Sequence, residues 1–330
     1  MKPKKISLIT GGAGFIGSHL VDLLLSKNHE VRVIDDLSGG HYENIKHHKN
    51  NKNFFFQKKN INFLNKSEAI FKNVQYVFHL AGKGDIVPSI ENPIDYMETN
   101  VMGTTRVLEN CRNLNLKKFI YAASSSCYGL AKTPTKESHP ISTLYPYALS
   151  KYVGEQTCFH WSNVYKIPVN SIRIFNAYGT RVKTTGVYGA VFGVFLKQKL
   201  KNKPLTVVGN GFQKRDFLYV TDVANAFYLL SQSKYVNNIY NLGAGKPVQI
   251  IRLAKLLSDK FKFIRKRPGE PNCTWASIEK IKKHINWKPK VTFNLGVKLM
   301  LNNIQDWKNA PLWNTKSIHK ATKTWFKYLS

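Results

Sequence analysis

The stretch Thr10-Gly11-Gly12-Ala13-Gly14-Phe15-Ile16-Gly17 decides the fold of this 330-residue chain. It follows an apolar segment at residues 6–10 and precedes residues 18–26, which have the apolar spacing of a helix. Glycines permit a tight turn and let backbone amides approach a phosphate at the N-terminus of a helix. The stretch therefore predicts a strand, a nucleotide-binding turn and a helix, in that order.

An acidic pair follows the next apolar segment. Residues 31–34 predict a second strand, and it ends in Asp35-Asp36. A carboxylate there can accept hydrogen bonds from ribose hydroxyls and repels a 2′-phosphate. Asp35 therefore predicts NAD as the cofactor in preference to NADP. A turn that binds no ligand also fits the glycines, but strand, helix and acid together favour the nucleotide.

Strands and helices are predicted to alternate through the first half of the chain. Apolar segments at residues 74–80, 118–122 and 169–174 predict strands, and residues 93–113 and 145–165 predict helices. Such alternation is typical of a parallel sheet that is covered on both faces. We expect an α/β fold with a Rossmann-type doubly wound parallel sheet.

Beyond residue 176 glycines become frequent and the predicted strands shorten. We expect an NAD-binding Rossmann domain at residues 1–176, rejoined by a strand near 237–243. Residues 177–330 are predicted to form mainly a smaller, mixed α/β substrate-binding region. Its C-terminal tail is rich in aromatic residues, and the spacing from Ile318 predicts an amphipathic helix that docks on the body of the protein.

Composition bounds the partners and the location of the protein. Net charge is +31, from 50 Lys+Arg against 19 Asp+Glu. Such charge suits an anionic partner, but the lysines are dispersed, so we predict no nucleic-acid or membrane partner. No apolar segment is long enough to cross a bilayer, and the N-terminus has no signal-peptide pattern. The four scattered cysteines predict no metal site and a cytoplasmic location.

Tyr147 and Lys151 are the strongest catalytic candidates. Four residues apart on a predicted helix, they lie on one face and can point into one pocket. An ammonium near a phenol lowers the phenol pKa from about 10, which would make Tyr147 a base near neutral pH. With Ser124-Ser125-Ser126 before them, the pair predicts proton removal from a hydroxyl during hydride transfer. His79 and Cys127 are interpreted as structural.

Several motifs resemble the extended short-chain dehydrogenase/reductases. Besides the glycine stretch, these are His79-Leu80-Ala81-Gly82, Asn100-Val101-Met102-Gly103-Thr104, Ser124 to Gly129, and Tyr147 with Lys151. Three later motifs resemble the nucleotide-sugar epimerase/dehydratase branch of that family: Arg173 to Gly179, Gln213 to Phe217, and Arg267 to Glu270. The resemblance extends from the N-terminus to about Trp307, in the order of the family.

The resemblance implies a role for each matching residue. It implies that Tyr147 is the acid/base, that Lys151 holds the nicotinamide ribose, and that Ser124 hydrogen-bonds the reacting oxygen. It implies a cofactor site made of Gly11, Gly14, Phe15, Ile16, Gly17, Asp35, Asp36, Asn60, Ile61, Leu80, Ala81, Gly82, Asn100, Tyr147 and Lys151. It implies a substrate site made of Lys83, Ser89, Ser125, Ser126, Asn176, Gly189, Ala190, Arg215, Arg267 and Glu270. An arginine fork donates two hydrogen bonds to phosphate oxygens, which suits a diphosphate.

The serine pair discriminates among the reactions of the family. The resemblance implies that 4,6-dehydratases and decarboxylases carry a glutamate just after the catalytic Ser/Thr, where this chain has Ser125-Ser126. Elimination of water would then lack its acid/base. We expect an NAD-dependent nucleotide-sugar 4-epimerase that oxidises the sugar at C4 and returns the hydride. UDP-glucose and UDP-galactose, or their N-acetyl forms, are the expected substrates.

Other functions remain open at this stage. A nucleotide-sugar dehydrogenase or ketoreductase would use the same residues with a net change in NAD(H), and a 4,6-dehydratase is a weaker alternative. A nucleic-acid-binding protein would explain the charge, and a cofactor-binding regulator would explain the glycine stretch. The resemblance also implies a homodimer that pairs the helices at 93–113 and 145–165.

Overall fold

A computed structural model describes residues 4–184 and 191–329. The strands among these residues are β1 (Ile6–Thr10), β2 (Glu30–Asp35), β3 (Phe54–Lys58), β4 (Tyr76–His79), β5 (Lys118–Ser124), β6 (Val169–Ile174), β7 (Ala177–Tyr178), β8 (Leu205–Val208), β9 (Lys214–Arg215), β10 (Leu218–Tyr219), β11 (Asn238–Leu242), β12 (Val248–Gln249) and β13 (Phe261–Ile264).

The helices of the described residues surround these strands. They are α1 (Phe15–Ser26), α2 (Ile86–Glu91), α3 (Pro93–Met97), α4 (Thr104–Cys111), α5 (Pro146–Tyr165), α6 (Val191–Leu200), α7 (Val220–Ser231), α8 (Ile250–Leu257), α9 (Glu279–Ile285), α10 (Phe293–Asn302), α11 (Thr315–Ala321) and α12 (Lys323–Tyr328). None of the helices in the described part of the chain is long and apolar enough to cross a membrane.

Seven strands form one parallel sheet, in the order β3-β2-β1-β4-β5-β6-β11. This is the doubly wound Rossmann order with a seventh strand added beside β6. The predicted fold class is therefore confirmed. The order reverses at β1, so the carboxyl ends of β1 and β4 flank the crevice in which such sheets bind ligands.

The sheet contains one strand that the sequence did not predict. β3 lies at the edge of the sheet and has a mixed burial pattern, because only Phe54 of its five residues is fully covered. An edge strand of this kind has neither the apolar run of a central strand nor a regular alternation. At the other edge, β11 pairs in parallel with β6, placing Tyr240 beside Ile172.

The predicted helix at 93–113 is divided. Its middle, Glu98–Gly103, is a π-helical segment between α3 and α4. Such segments are rare and occur frequently at functional sites. Asn100 lies in this segment and is completely buried.

Both halves of the chain contribute to the layers on the sheet. α1 and α7 pack together on one face, so Phe227 and Leu230 share a core with Leu20 and Val33. On the other face, α4 and α5 bury Leu108 and neighbouring residues against the sheet. A separate core around Tyr178, Phe192 and Trp307 belongs to the smaller region. The division into two domains at residue 176 stays a prediction, because elements of the second half, α7 and β11, complete the first.

Candidate active site

The glycine turn connects β1 directly to α1. Gly14 is the N-cap of α1, and no side chain of the described residues caps this end of the helix. Its first backbone N–H groups therefore keep the unsatisfied donors and the positive end of the helix dipole that bind a pyrophosphate.

Two glycines of the turn are required by close backbone contacts. Gly11 has a φ of +71°, and a Cβ at this position would lie 2.7 Å from the backbone nitrogen of Ala81. A Cβ on Gly17 would lie 2.1 Å from the carbonyl oxygen of Gly11. Since a real Cβ does not approach a carbonyl this closely, the turn, the start of α1 and the end of β4 fit together only without side chains.

Asp35 locks the end of β2 to the glycine turn. Its two carboxylate oxygens accept hydrogen bonds from the backbone N–H groups of Ala13, at 2.9 Å, and of Leu37, at 2.8 Å. Burial raises the pKa of Asp35, while these backbone donors oppose the rise. Each carboxylate oxygen has a second lone pair, so the group can still accept a further hydrogen bond.

Asp36 and Asn60 form a second pair beside Asp35. The amide nitrogen of Asn60 donates to Asp36 at 2.8 Å, and its side-chain oxygen accepts from the backbone N–H of Asn62. Asn60 thereby caps a short turn in which Ile61 is buried. The cofactor contact that the resemblance implies for Asn60 would use the remaining lone pair of this amide oxygen.

The loop after β4 is fixed by two buried side chains. Leu80 and Ala81 donate their backbone N–H groups to the backbone and side chain of Thr10. Asn100 accepts from the backbone N–H of Lys83 at 2.7 Å and donates to Ser150 at 2.9 Å. These bonds join the loop to α5.

His79 has the structural role that the sequence predicted. Its ring nitrogens contact the hydroxyls of Thr10, at 2.6 Å, and of Thr104, at 2.8 Å. Complete burial lowers its pKa to about 3, so the ring is neutral at physiological pH.

The structure brings Ser124, Tyr147 and Lys151 to one place. Ser124 ends β5, and both other residues lie in the first turns of α5. Ser124 forms a hydrogen bond with Tyr147 and accepts another from the backbone N–H of Ser126. The Lys151 ammonium lies 4.3 Å from the centre of the Tyr121 ring and beside Gly82.

The pKa of Tyr147 corrects one expectation. Burial raises this pKa to about 12, and the hydrogen bond with Ser124 offsets the rise in part. Burial also lowers the pKa of Lys151 to about 8. The prediction that Lys151 makes Tyr147 a base near neutral pH is wrong for the protein alone, because desolvation of the phenol outweighs any help from the ammonium.

An ion-pair chain marks the predicted nucleotide-sugar end. Glu270 accepts from Arg215 at 2.7 Å and from Arg267 at 2.9 Å, and all three side chains are largely buried. Asn176 lies close to this chain in the fold, where it accepts from Thr274 at 2.6 Å. Two guanidinium groups and one carboxylate therefore lie beside each other.

The remaining predicted substrate residues differ in their surroundings. Ser125 and Ser126 are half-buried at the end of β5. Lys83 pairs with Asp95, so its ammonium already has a partner. Ser89 is completely buried and donates to the backbone of Ile86 at 2.6 Å. Gly189 and Ala190 lie outside the described residues.

Sequence reasoning missed Tyr145 and Tyr96. The Tyr145 ring is parallel to the Tyr147 ring, with centroids 6.4 Å apart. The hydroxyl of Tyr145 forms a hydrogen bond with Ser126. Tyr96 meets Tyr147 edge-on at 6.3 Å. Residues two apart on a helix do not share a face. Tyr145 is the N-cap of α5 and has an extended backbone, so this rule does not apply to it and its ring can stack on Tyr147.

One group of possible metal ligands lies away from this site. Among the described residues, Asp22, His47 and His48 have ligand atoms within 4.8 Å of one another. Arg181 also contacts Asp22, at 2.7 Å. Its positive charge opposes binding of a cation there.

The comparisons with known proteins agree with this geometry. Residues 8–300 match the family model described as GDP-mannose 4,6 dehydratase. The chain therefore belongs to the extended short-chain dehydrogenase/reductases, in their nucleotide-sugar epimerase and dehydratase branch.

Three similar proteins show what this branch contains. A protein of Methanocaldococcus jannaschii, assigned as a UDP-glucose 4-epimerase, is 36% identical over 89% of this chain and 97% of its own. The UDP-glucuronic acid 4-epimerase of Bacillus cereus, solved with UDP-glucuronic acid and NAD, has a TM-score of 0.85 and 30% identity over 91% of this chain and 99% of its own. The UDP-N-acetylglucosamine 4-epimerase of Methanobrevibacter ruminantium M1, solved with UDP-N-acetylmuramic acid, has a TM-score of 0.85 and 32% identity over 92% of this chain and 100% of its own.

Proposed function

We propose that the protein is an NAD-dependent nucleotide-sugar 4-epimerase that acts on a UDP-linked hexose or N-acetylhexosamine. The observation that carries this proposal is that Ser124, Tyr147 and Lys151 lie together, beside the loop that packs against the glycine turn. The proteins similar to this chain include UDP-sugar 4-epimerases.

The residues present fit NAD. The uncapped N-terminus of α1 suits a pyrophosphate, and the turn that precedes it packs closely because Gly11 and Gly17 have no Cβ. Asp35 at the end of β2 suits an unphosphorylated ribose, and Asp36, Asn60 and Ile61 border that end. Bound NAD would supply the hydride acceptor and, in its oxidised form, a positive charge.

The chain itself would move the proton. Tyr147 takes the proton of the sugar O4 hydroxyl and later returns it, while Ser124 holds the reacting oxygen by a hydrogen bond. A neighbouring positive charge favours phenolate and offsets the burial that raises the pKa of Tyr147 to about 12. Lys151 keeps the ribose in position from its place beside Gly82.

The serine pair supports epimerisation over elimination. Ser125 and Ser126 carry hydroxyls where elimination would need a carboxylate, and Ser126 is engaged by the hydroxyl of Tyr145. Without that acid/base the 4-keto sugar keeps its C6 hydroxyl. Rotation of the ketone before the hydride returns then gives the C4 epimer.

The diphosphate is proposed to bind the cationic end of the cleft. Arg215, Arg267 and Asn176 are the donors, and Glu270 orients both guanidinium groups. The substrate roles of Lys83, Ser89, Gly189 and Ala190 stay predictions.

Incubation of the purified protein with UDP-glucose, UDP-galactose and their N-acetyl forms tests the proposal. We expect interconversion of at least one pair, detected by sugar analysis, with no net change in NADH absorbance. Conversion accompanied by stoichiometric NADH would instead indicate a dehydrogenase or ketoreductase. If no pair interconverts, the substrate assignment is wrong.

We also propose a cytoplasmic homodimer. Apolar side chains of Ile94, Met102, Leu149 and Val164 are between 41% and 72% exposed on the segments that the resemblance assigns to the dimer interface. The four cysteines are free thiols, which suits a reducing compartment. A monomer mass in light scattering, or recovery with secreted proteins in cell fractionation, would contradict these two assignments respectively.

A further inference from the structure

The C-terminal tail packs against the proposed substrate site. It lies beyond residue 300, where the match to the family model ends. The last helix, α12, contacts α2, and Thr324 donates to Glu91 of that helix at 3.0 Å. Trp325, in the middle of α12, is only 7% exposed. The tail is thus held on the side of the molecule where α2 and the loop before Glu270 meet.

Trp325 contacts the ion-pair chain. Its indole N–H donates to the backbone oxygen of Pro268 at 2.7 Å. The guanidinium of Arg267 lies over its ring, 5.3 Å from the centroid. Both contacts fix the loop that carries Glu270, and Glu270 in turn binds Arg215. A desolvated cation–π contact of this kind stabilises one orientation of the guanidinium.

Trp325 also reaches toward the reacting end of the site. Its ring centroid lies 6.5 Å from that of Tyr145, and Tyr145 is stacked against Tyr147. Tyr145 therefore lies between the indole and the proposed acid/base. The nucleotide end and the reacting end are joined through one side chain that lies outside the family match.

Phe326, the residue after Trp325, makes a similar contact with another arginine. Phe326 lies under the guanidinium of Arg265, at 5.3 Å. Together they line a cavity of about 790 Å³ to which Glu270, Leu130 and Thr133 also contribute. This volume is within the range that small-molecule sites occupy.

We infer that Trp325 is a positioning residue of the substrate site: it holds Arg267 toward the diphosphate and supports Tyr145 beside the sugar. This inference rests on the proposed function. The tail then sets the affinity for the nucleotide sugar, while the glycine turn sets the affinity for NAD.

Trp325→Ala tests the inference by separating substrate affinity from turnover. We expect KM for the nucleotide sugar, and the dissociation constant for UDP in calorimetry, to rise about tenfold, since one cation–π contact and one hydrogen bond are lost. The NAD content of the purified protein and kcat should change less than about twofold. Trp325→Phe keeps a ring over Arg267 and should raise both constants only about threefold.

Tyr328→Ala is the matched control, because Tyr328 is on the same helix but 60% exposed. It should leave both constants within about twofold of the wild-type values. The inference is overturned if Trp325→Ala does the same, or if it lowers NAD content as strongly as UDP affinity. Should Trp325→Ala not fold, an unchanged UDP affinity of Trp325→Phe overturns it.

The UDP titration also separates this inference from the proposed reaction. If the wild-type protein binds UDP but epimerises no sugar, the reaction assignment fails, while a weaker UDP affinity in Trp325→Ala still supports the role of the tail. If the wild-type protein does not bind UDP, both the substrate class and this inference are wrong.

Discussion

The proposed cofactor half and the proposed substrate half of the site are built in different ways. The cofactor half is a meeting of backbone segments: Gly11 lies against Ala81, Gly17 against Gly11, and Asp35 receives the N–H of Ala13. The substrate half is a meeting of side chains from distant segments, in which Glu270 joins Arg215 to Arg267. The first half leaves no room for substitution, whereas the second can change one contact at a time.

This difference has a functional consequence. Structures with TM-scores of 0.85 to this chain hold ligands as different as UDP-glucuronic acid and UDP-N-acetylmuramic acid. A backbone-defined cofactor site keeps the hydride chemistry constant, and a side-chain-defined site lets the sugar vary. Ser124, Tyr147 and Lys151 lie where the two halves meet.

The largest expected effect is at this junction. Tyr147→Phe removes the phenolic hydroxyl and keeps the ring that stacks on Tyr145. We expect kcat to fall about 10³-fold, as for the loss of a general acid/base, while NAD content and UDP affinity stay within about twofold. Steady-state kinetics measures kcat, calorimetry measures UDP affinity, and absorbance of the purified protein measures NAD content. Near-normal turnover would show that another group moves the proton.

One methyl group should break the cofactor half. Gly17→Ala places a Cβ 2.1 Å from the carbonyl oxygen of Gly11, and neither backbone segment can move freely. We expect loss of bound NAD and a decrease of about 3 kcal/mol in the free energy of unfolding. Absorbance of the purified protein and urea unfolding report the two effects.

Gly39→Ala is the control for this prediction, since a Cβ there meets no atom of the described residues within 4 Å. It should retain NAD and change the unfolding free energy by less than about 0.5 kcal/mol. Equal effects of the two substitutions would mean that loop flexibility, and not the close contact at Gly17, maintains the cofactor site.

The same contrast explains what the sequence could predict. The parallel sheet and the positions of its central strands follow from local signals: apolar runs, the glycine turn and Asp35. β3 was missed because an edge strand lacks a strong apolar pattern. The apolar spacing of residues 93–113 does not distinguish the π segment around Asn100 from an α-helix.

The side-chain half left weaker local signals. Nothing near Trp325 in the sequence indicates that its ring meets Arg267 and Tyr145, since these residues are brought together only by the fold. Nor does any local pattern predict that the hydroxyl of Ser89 donates to the backbone of Ile86. The raised pKa of Tyr147 also follows from burial, which a spacing of four residues does not report.

The last prediction concerns the effect of the buried Lys151 on the stability of the fold. Lys151 is buried, and its pKa falls from 10.5 to about 8. Below pH 8 the folded protein must hold a desolvated ammonium, so the wild-type protein is less stable than Lys151→Met by at most about 3 kcal/mol. Between pH 8 and 10.5 the unfolded chain binds more protons than the folded protein, so wild-type stability rises with pH and the difference shrinks. Urea unfolding of NAD-free protein at pH 7 and pH 10 measures this change. A difference that is the same at both pH values would mean that Lys151 is solvated in the folded protein, and that its ammonium does not destabilise the fold.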